Sequence, residues 1–244
     1  MLTPRFFVAP AQATLAPGTT VELPAAVAHH AVRVLRLAAG ARLALFDGLG
    51  GEHPASIARV DKRGVLVRVD DHEAVERESP LAVTLVQAVI ANDAMDYAVR
   101  KATELGAAAI QPVRSARSAP LPAGERSARR VGHWQEVAVA ACEQCGRNRV
   151  PAVAAPVDLG AWLATSPAPG FVLAPAGGAR LGQQPQPPRP VALLVGPEGG
   201  FTGDEVDAAR VAGLIPIELG PRVLRAETAG VAALAVMSAI WGDG

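Results

Sequence analysis

From residue 81 onward, short apolar runs alternate with stretches in which apolar residues return every third or fourth position. Residues 191–195 are five apolar residues without polar alternation, the pattern of a strand covered on both faces of a parallel sheet. Similar runs predict strands over 81–90, 107–113, 171–174 and 214–219. Helical spacing predicts helices over 94–105, 131–145, 159–164, 203–213 and 228–241. Asp93 is placed to cap the first of these, and Gly106 stands where a helix C-terminal glycine belongs. Thr202 and Glu205 form the T-x-x-E capping-box pattern. Strands alternating with helices imply a parallel sheet, and a last helix apolar on nearly all sides belongs in a core or against another subunit.

Before residue 81 the period is different. Short strand-like runs at 21–23, 42–46, 52–60 and 64–69 are separated by Pro, Gly and Asp turns. One helical pattern, residues 26–37, has Val27, Ala31, Val34 and Leu35 on one face and places Arg33 and Arg36 three apart on another. The acidic, polar stretch 70–80 ends in Pro80 and reads as an interdomain linker. Two domains are therefore expected, a small β-rich one over 1–72 and an α/β one over 80–244.

Composition adds constraints. With 244 residues, 50% hydrophobic and 19% charged, the chain has enough apolar residues for a sizeable core. Its 23 basic and 23 acidic side chains cancel, which argues against bulk electrostatic capture of nucleic acid and leaves local patches open. Only Lys62 and Lys101 are lysines; the rest of the positive charge is arginine. Residues 100–150 hold nine basic against four acidic side chains, with Arg114, Arg117, Arg126, Arg129, Arg130, Arg147 and Arg149 supplying most of the surplus. No secretory signal or membrane-length apolar stretch is present, so a cytoplasmic location is expected. Cys142 and Cys145 form a lone C-x-x-C without the second ligand pair a zinc site needs, and read as packing residues.

Candidate chemistry gathers in two glycine-bearing loops, GPEGGFTGDE from Gly196 and LGPRVLRAETA from Leu219. Both follow predicted strands, where ligands reach free backbone groups in open α/β sheets. The first loop lacks the Gly-Lys-Ser/Thr ending of a P-loop, and its glycines at 196, 199 and 200 miss the G-x-G-x-x-G spacing. Its Glu198, beside a helix start, opposes phosphate as well.

Taken together with ACEQCGRNRVP, PRFF, HHAVRVLRL, LFDG and MDYAVRKATELG, these loops resemble the ribosomal RNA small subunit methyltransferase E family, over nearly the whole chain. The resemblance implies a C-terminal trefoil-knot (SPOUT) methyltransferase domain with a mostly parallel sheet, preceded by a small β-barrel PUA-like domain. It further implies S-adenosylmethionine-dependent methylation of uracil N3 in 16S ribosomal RNA, on the RNA or the small-subunit particle, by a homodimer. By the same resemblance the cofactor sits against Leu173, Gly196, Gly199, Gly200, Leu219, Gly220, Val223, Leu224 and Ala229.

The chemistry narrows the remaining roles. A sulfonium methyl is already activated, so the protein must position it and manage one proton, with no metal required. Uracil N3 must lose its hydrogen, which calls for a carboxylate; the resulting anion on O2 and O4 calls for a cation. Arg225 is the candidate for substrate anchoring or anion stabilisation, and Glu198 or Glu227 for the base. Either glutamate has an alternative role, capping loop N–H groups or pairing with Arg225, and Glu143 is a further carboxylate in the motifs. Arg33, Arg36, Arg114, Arg117, Arg147 and Arg149 are the candidate RNA contacts. Ribose 2′-O methylation, or RNA binding without catalysis, are the competing readings.

Overall fold

The computed structural model describes residues 3–122, 124–165, 169–174 and 178–242. The chain divides into two units, Met1–Glu78 with Cys142–Val150, and Ser79–Ala141 with Pro151–Gly244.

The first unit contains β1 (Arg5–Phe7), β2 (Thr20–Glu22), α1 (Ala25–His29), β3 (Arg42–Phe46), β4 (His53–Val60) and β5 (Val65–Val69). The strands form a sheet of order β1-β3-β4-β5-β2, antiparallel except where β1 joins β3. The alternating positions Val65, Val67 and Val69 point inward with Leu43, Leu45, Ala55 and Ile57 and close over Phe6, Leu23 and Ala31. Where the pattern predicted one helix to residue 37, α1 gives way at His30 to a π turn, His30–Val34, in which Leu35 N–H reaches back five residues to His30. Arg36 then adopts φ 54° and turns the chain out of the helix. Arg33 and Arg36 therefore do not share a helical face.

Residues of the expected linker are bound into this unit. Glu73 exchanges both main-chain hydrogen bonds with Glu52 at 2.8 Å, and Asn148 Nδ2 donates to the Val75 carbonyl at 2.6 Å. Arg147 is only 3% exposed, forked onto Glu78, and Arg5 pairs with Glu52. Burial alone would raise the Glu52 carboxyl, but Arg5 and Arg77 outweigh it and hold the group below the usual carboxylate range. Cys142–Val150, expected from sequence to belong with the second domain, is thus grouped with the first. Burial pushes the Cys142 thiol up to about 12, which fits a packing role and leaves almost no thiolate at neutral pH.

The second unit runs through β6 (Val83–Ala88), α2 (Asn92–Glu104), β7 (Ala109–Arg114), α3 (Glu125–Cys145), β8 (Ala152–Val153), β9 (Val157–Asp158), α4 (Leu159–Thr165), β10 (Gly170–Leu173), β11 (Ala179–Arg180), β12 (Val191–Val195), α5 (Gly203–Val211), β13 (Leu214–Glu218) and α6 (Ala226–Trp241). The last residues of α3 count with the first unit. The sheet order is β11-β13-β10-β12-β6-β7-β8, with β9 also on β7, and every pairing among the described residues is parallel.

Helices on both faces explain the uninterrupted apolar runs. Val86, Ala88, Val172, Ala192 and Leu194 pack with Leu159 and Leu163 of α4 and Ala209 of α5. On the other face Phe171 stacks on Trp241 of α6 at 5.7 Å, and Gly230 of α6 lies over Leu85 and Val195. Burying each Leu or Val so completely contributes about 1.5–3 kcal/mol, and doing so on both sides of a strand demands five apolar residues in a row. Helix ends follow local chemistry. Gly106, at φ +81°, closes α2 with Gly106 N–H on Thr103 O and Ala107 N–H on Ala102 O. Among the described residues no helix is long and apolar enough to cross a membrane.

Gly170 is required by proximity: a Cβ there would lie 1.9 Å from the Ala192 carbonyl oxygen on β12. Because that oxygen belongs to a paired central strand, it cannot move aside. Gly170→Ala should lower unfolding free energy by about 3 kcal/mol in urea titrations; a loss under about 0.5 kcal/mol would show that the strands separate easily.

Candidate active site

Three strands that are neighbours in the sheet, β13, β10 and β12, run parallel and so deliver their C-terminal ends to one edge. The loop 196–202 leaves β12 there, and 219–225 leaves β13. Together with the end of β10 they enclose a cleft of about 700 Å³, walled by Leu173, Val223, Leu224 and Ala229 and floored by Gly196, Gly199 and Gly200. A narrow extension of about 50 Å³ adds Leu219 and Gly220. All nine residues expected around the cofactor are brought together, with Glu198, Arg225 and Glu227 on the rim.

The first loop is shaped by its own residues and then tied from outside. Gly200 takes φ +67° and donates to the Pro197 carbonyl at 2.9 Å, a turn that a side chain would strain. Thr202 and Glu205 make both bonds of the capping box: Thr202 Oγ1 accepts from Glu205 N–H at 3.2 Å and Glu205 Oε2 from Thr202 N–H at 2.9 Å. The other Glu205 oxygen accepts from Ala116 N–H at 2.7 Å. Arg117 Nη1 donates to the Gly199 carbonyl at 2.8 Å, while its aliphatic stem fills the space a Gly199 side chain would need. Gln87, fully buried, donates to Gly196 O at 3.4 Å; its Oε1 has no partner among the described residues.

Glu198 is engaged rather than free. Its Oε1 accepts from Ala91 N–H at 2.9 Å, at the start of α2. Ala91, not Asp93, is the N-cap residue of that helix and has no capping oxygen of its own, so Glu198 supplies one from another loop. Glu227 stands in the first turn of α6, without a hydrogen-bonding partner for its carboxylate among the described residues. Arg225 is the N-cap residue of α6. Its carbonyl receives Thr228 and Ala229 N–H, while its exposed guanidinium is held by no partner among the described residues.

The arginines expected on RNA have diverse surroundings. Arg117 belongs to the glycine loop, as described, and Arg147 is buried against Glu78. Arg114 is paired with Asp158 at 2.8 Å and bonded to Pro156 O, and the hydrogen bond to the Asp158 carboxylate raises its already high pKa. Arg149 meets Glu76 at 3.2 Å with its side chain still half exposed. Arg33 lines a cleft of about 330 Å³ with His29, Lys62 and Arg63. Lys62 and Arg63 stand in the turn between β4 and β5, and a lone basic dipeptide in a turn carries no signal in the sequence by itself. Glu143 lies in the first unit, where it accepts from Phe7 N–H at 2.9 Å and burial raises its pKa.

An RNA methyltransferase domain model matches residues 77–238, and an RNA methyltransferase PUA domain model matches residues 23–70. The glycine-loop cleft at the edge of a parallel sheet and these matches define the class: an RNA methyltransferase with a PUA domain before its methyltransferase domain. Among solved structures, a methyltransferase from Legionella pneumophila in complex with bound SAM is 37% identical over all of both chains, with a TM-score of 0.95. A ribosomal RNA small subunit methyltransferase E from Neisseria gonorrhoeae, bound to S-adenosyl methionine, is 36% identical over 99% of both chains, with a TM-score of 0.91. The enzyme of that name from Synechocystis is 34% identical, covering 97% of this chain and 77% of its own. The chain belongs to the ribosomal RNA small subunit methyltransferase E family.

Because the Glu198 carboxylate acts on Ala91 through one acceptor oxygen, an amide can replace it. Glu198→Gln should keep the parent's melting temperature and most of its methyl transfer, whereas Glu198→Ala should lose about 1 kcal/mol of stability. Turnover abolished in the Gln variant, with the fold intact, would return Glu198 to the role of base.

Proposed function

We propose that this chain transfers a methyl group from S-adenosylmethionine to N3 of a uridine in 16S ribosomal RNA. The observation that carries the proposal is the cleft itself: apolar walls, a glycine floor and, at its rim, an arginine whose guanidinium has no partner among the described residues. A volume of about 700 Å³ suits a nucleoside-sized ligand, and the apolar residues Leu173, Val223, Leu224 and Ala229 suit a flat purine. The glycines leave backbone groups approachable, which is how a loop without cationic side chains holds a neutral ribose and an amino-acid tail.

When bound, S-adenosylmethionine supplies a methyl group that its sulfonium centre has already activated. The chain's own residues do the rest. Glu227, with its carboxylate uncommitted, takes the proton from uracil N3. Arg225 faces the negative charge that then spreads onto O2 and O4, and an apolar cleft strengthens that attraction by excluding water. Glu198 and Arg117 hold the glycine loop in place. The two parts divide the work: the PUA-like part holds RNA, through Arg33 and its neighbours, and the α/β part carries the reaction. In this reading the protein acts in the cytoplasm, as a homodimer, on 16S rRNA or the small-subunit particle.

Nucleoside mass spectrometry of 16S rRNA from a strain lacking the gene should show one N3-methyluridine missing and restored by the parent protein; an unchanged methyl inventory would overturn the proposal. In vitro, Arg225→Ala should reduce kcat by about 10²-fold or more while calorimetry shows unaltered cofactor affinity. Normal turnover would remove Arg225 from the mechanism.

A further inference from the structure

A second cleft, of about 510 Å³, lies on the other side of the α2 N-terminal turn from the cofactor cleft. The turn is shared: Ala94 lines the first cleft, while Asn92, Asp93 and Asp96 line the second. Its far wall is α3. Arg126, Arg129, Arg130 and His133 recur there at intervals of three and four, so they form one stripe along the helix, while Trp134, Ala138 and Ala141 are buried on another. The pattern is visible in the sequence, but its meaning comes from what it faces.

The charges in this cleft are unevenly committed. Arg130 Nη1 donates to the Asn92 side-chain oxygen, a neutral partner that fixes the guanidinium without cancelling its charge. His133 Nε2 lies 2.8 Å from Asp96 Oδ2 and so occupies that carboxylate. Arg129 sits 3.9 Å from Glu125, with both side chains largely exposed, a pair of negligible strength. Arg126 has no partner among the described residues, and Asp93 is the one lining carboxylate left uncommitted. Three guanidinium groups thus line a polar cleft that shares one turn of α2 with the cofactor cleft.

We propose that this cleft is a phosphate-binding subsite that holds the backbone of the RNA strand next to the target uridine. The inference rests on the functional reading above and gives that reaction its strand register. Arginine forks bind phosphodiester oxygens in pairs. The stripe from Arg126 to His133 extends about 10 Å along the helix, room for two successive phosphates. With its backbone anchored here, a strand can present a base across the α2 turn into the cofactor cleft. Arg130 and Arg126 are the primary contacts; Arg129 stands behind them.

The test compares the parent, Arg126→Gln/Arg130→Gln, Arg126→Lys/Arg130→Lys, and Arg210→Gln as a charge loss on α5. Small subunits purified from a strain lacking the gene serve as methyl acceptor, and a fluorescent single-stranded 16S rRNA fragment serves for direct binding by anisotropy. The Gln pair should raise KM for the subunit about tenfold, leaving kcat and calorimetric cofactor affinity unchanged. Its binding should also lose about 1.4 from the slope of log affinity against log salt, the share of two phosphates on a single strand. The Lys pair should recover most of both, and Arg210→Gln should match the parent. If the Gln pair keeps the parent's KM and salt slope, the subsite does not exist, although the methyl transfer stands. If the parent methylates nothing, the functional reading fails, and the anisotropy series still decides: an unchanged slope in the Gln pair overturns the subsite, and a shallower one upholds it as an RNA contact.

Discussion

An open glycine loop is entropically expensive to hold still, and the site depends on how this one is restrained. Residues 196–200 have few side chains to pack, so their main chain is fixed by groups reaching in from other elements. Gln87 bonds Gly196 from the end of β6, and Arg117 bonds Gly199 from the loop after β7. Glu198 reaches the other way, to Ala91, and Glu205 to Ala116. Each tie ends on a backbone atom, so the cleft face of the glycines stays bare. The same contacts bring the start of α2 and the loop after β7 against the glycine loop. The cleft and the basic groove beyond it therefore share a wall.

Features that depend on local chemistry could be read directly from the chain. Thr202 and Glu205 announce a capping box because its two bonds span only three residues, and Gly106 announces a helix end because few other residues accept its φ. The buried strands were legible for a different reason: cover on both faces leaves no place for a polar residue in Val191–Val195. The juxtaposition of the two loops followed from one rule, that parallel strands leave their C-terminal ends at one edge.

What escaped the sequence is set by partners far along the chain. Asp93 is a reasonable helix cap by type, yet the capping oxygen comes from Glu198, more than a hundred residues away. Arg147 reads as a surface cation until Glu78 is found folded over it. The two-residue strands β8, β9 and β11 carry too few residues to show any period and exist because β7 or β13 offers an edge. The π turn at His30–Val34 likewise widens a pattern whose apolar spacing alone is that of an ordinary helix.

Net charge is the weakest guide to what this protein binds, and its arginines show why. Equal totals of acid and base describe a sum over the whole chain, whereas a polyanion meets only those cations whose charge is not already answered nearby. Arg147 and Arg5 are consumed by Glu78 and Glu52; Arg114 is largely answered by Asp158. Subtracting these leaves the remaining positive charge unevenly distributed, with Arg225 at the rim of one cleft and Arg126, Arg129 and Arg130 along the next. A chain with no net charge thus still keeps arginines without carboxylate partners beside the glycine floor and along the next cleft, as it keeps Arg33, Lys62 and Arg63 together in the first unit.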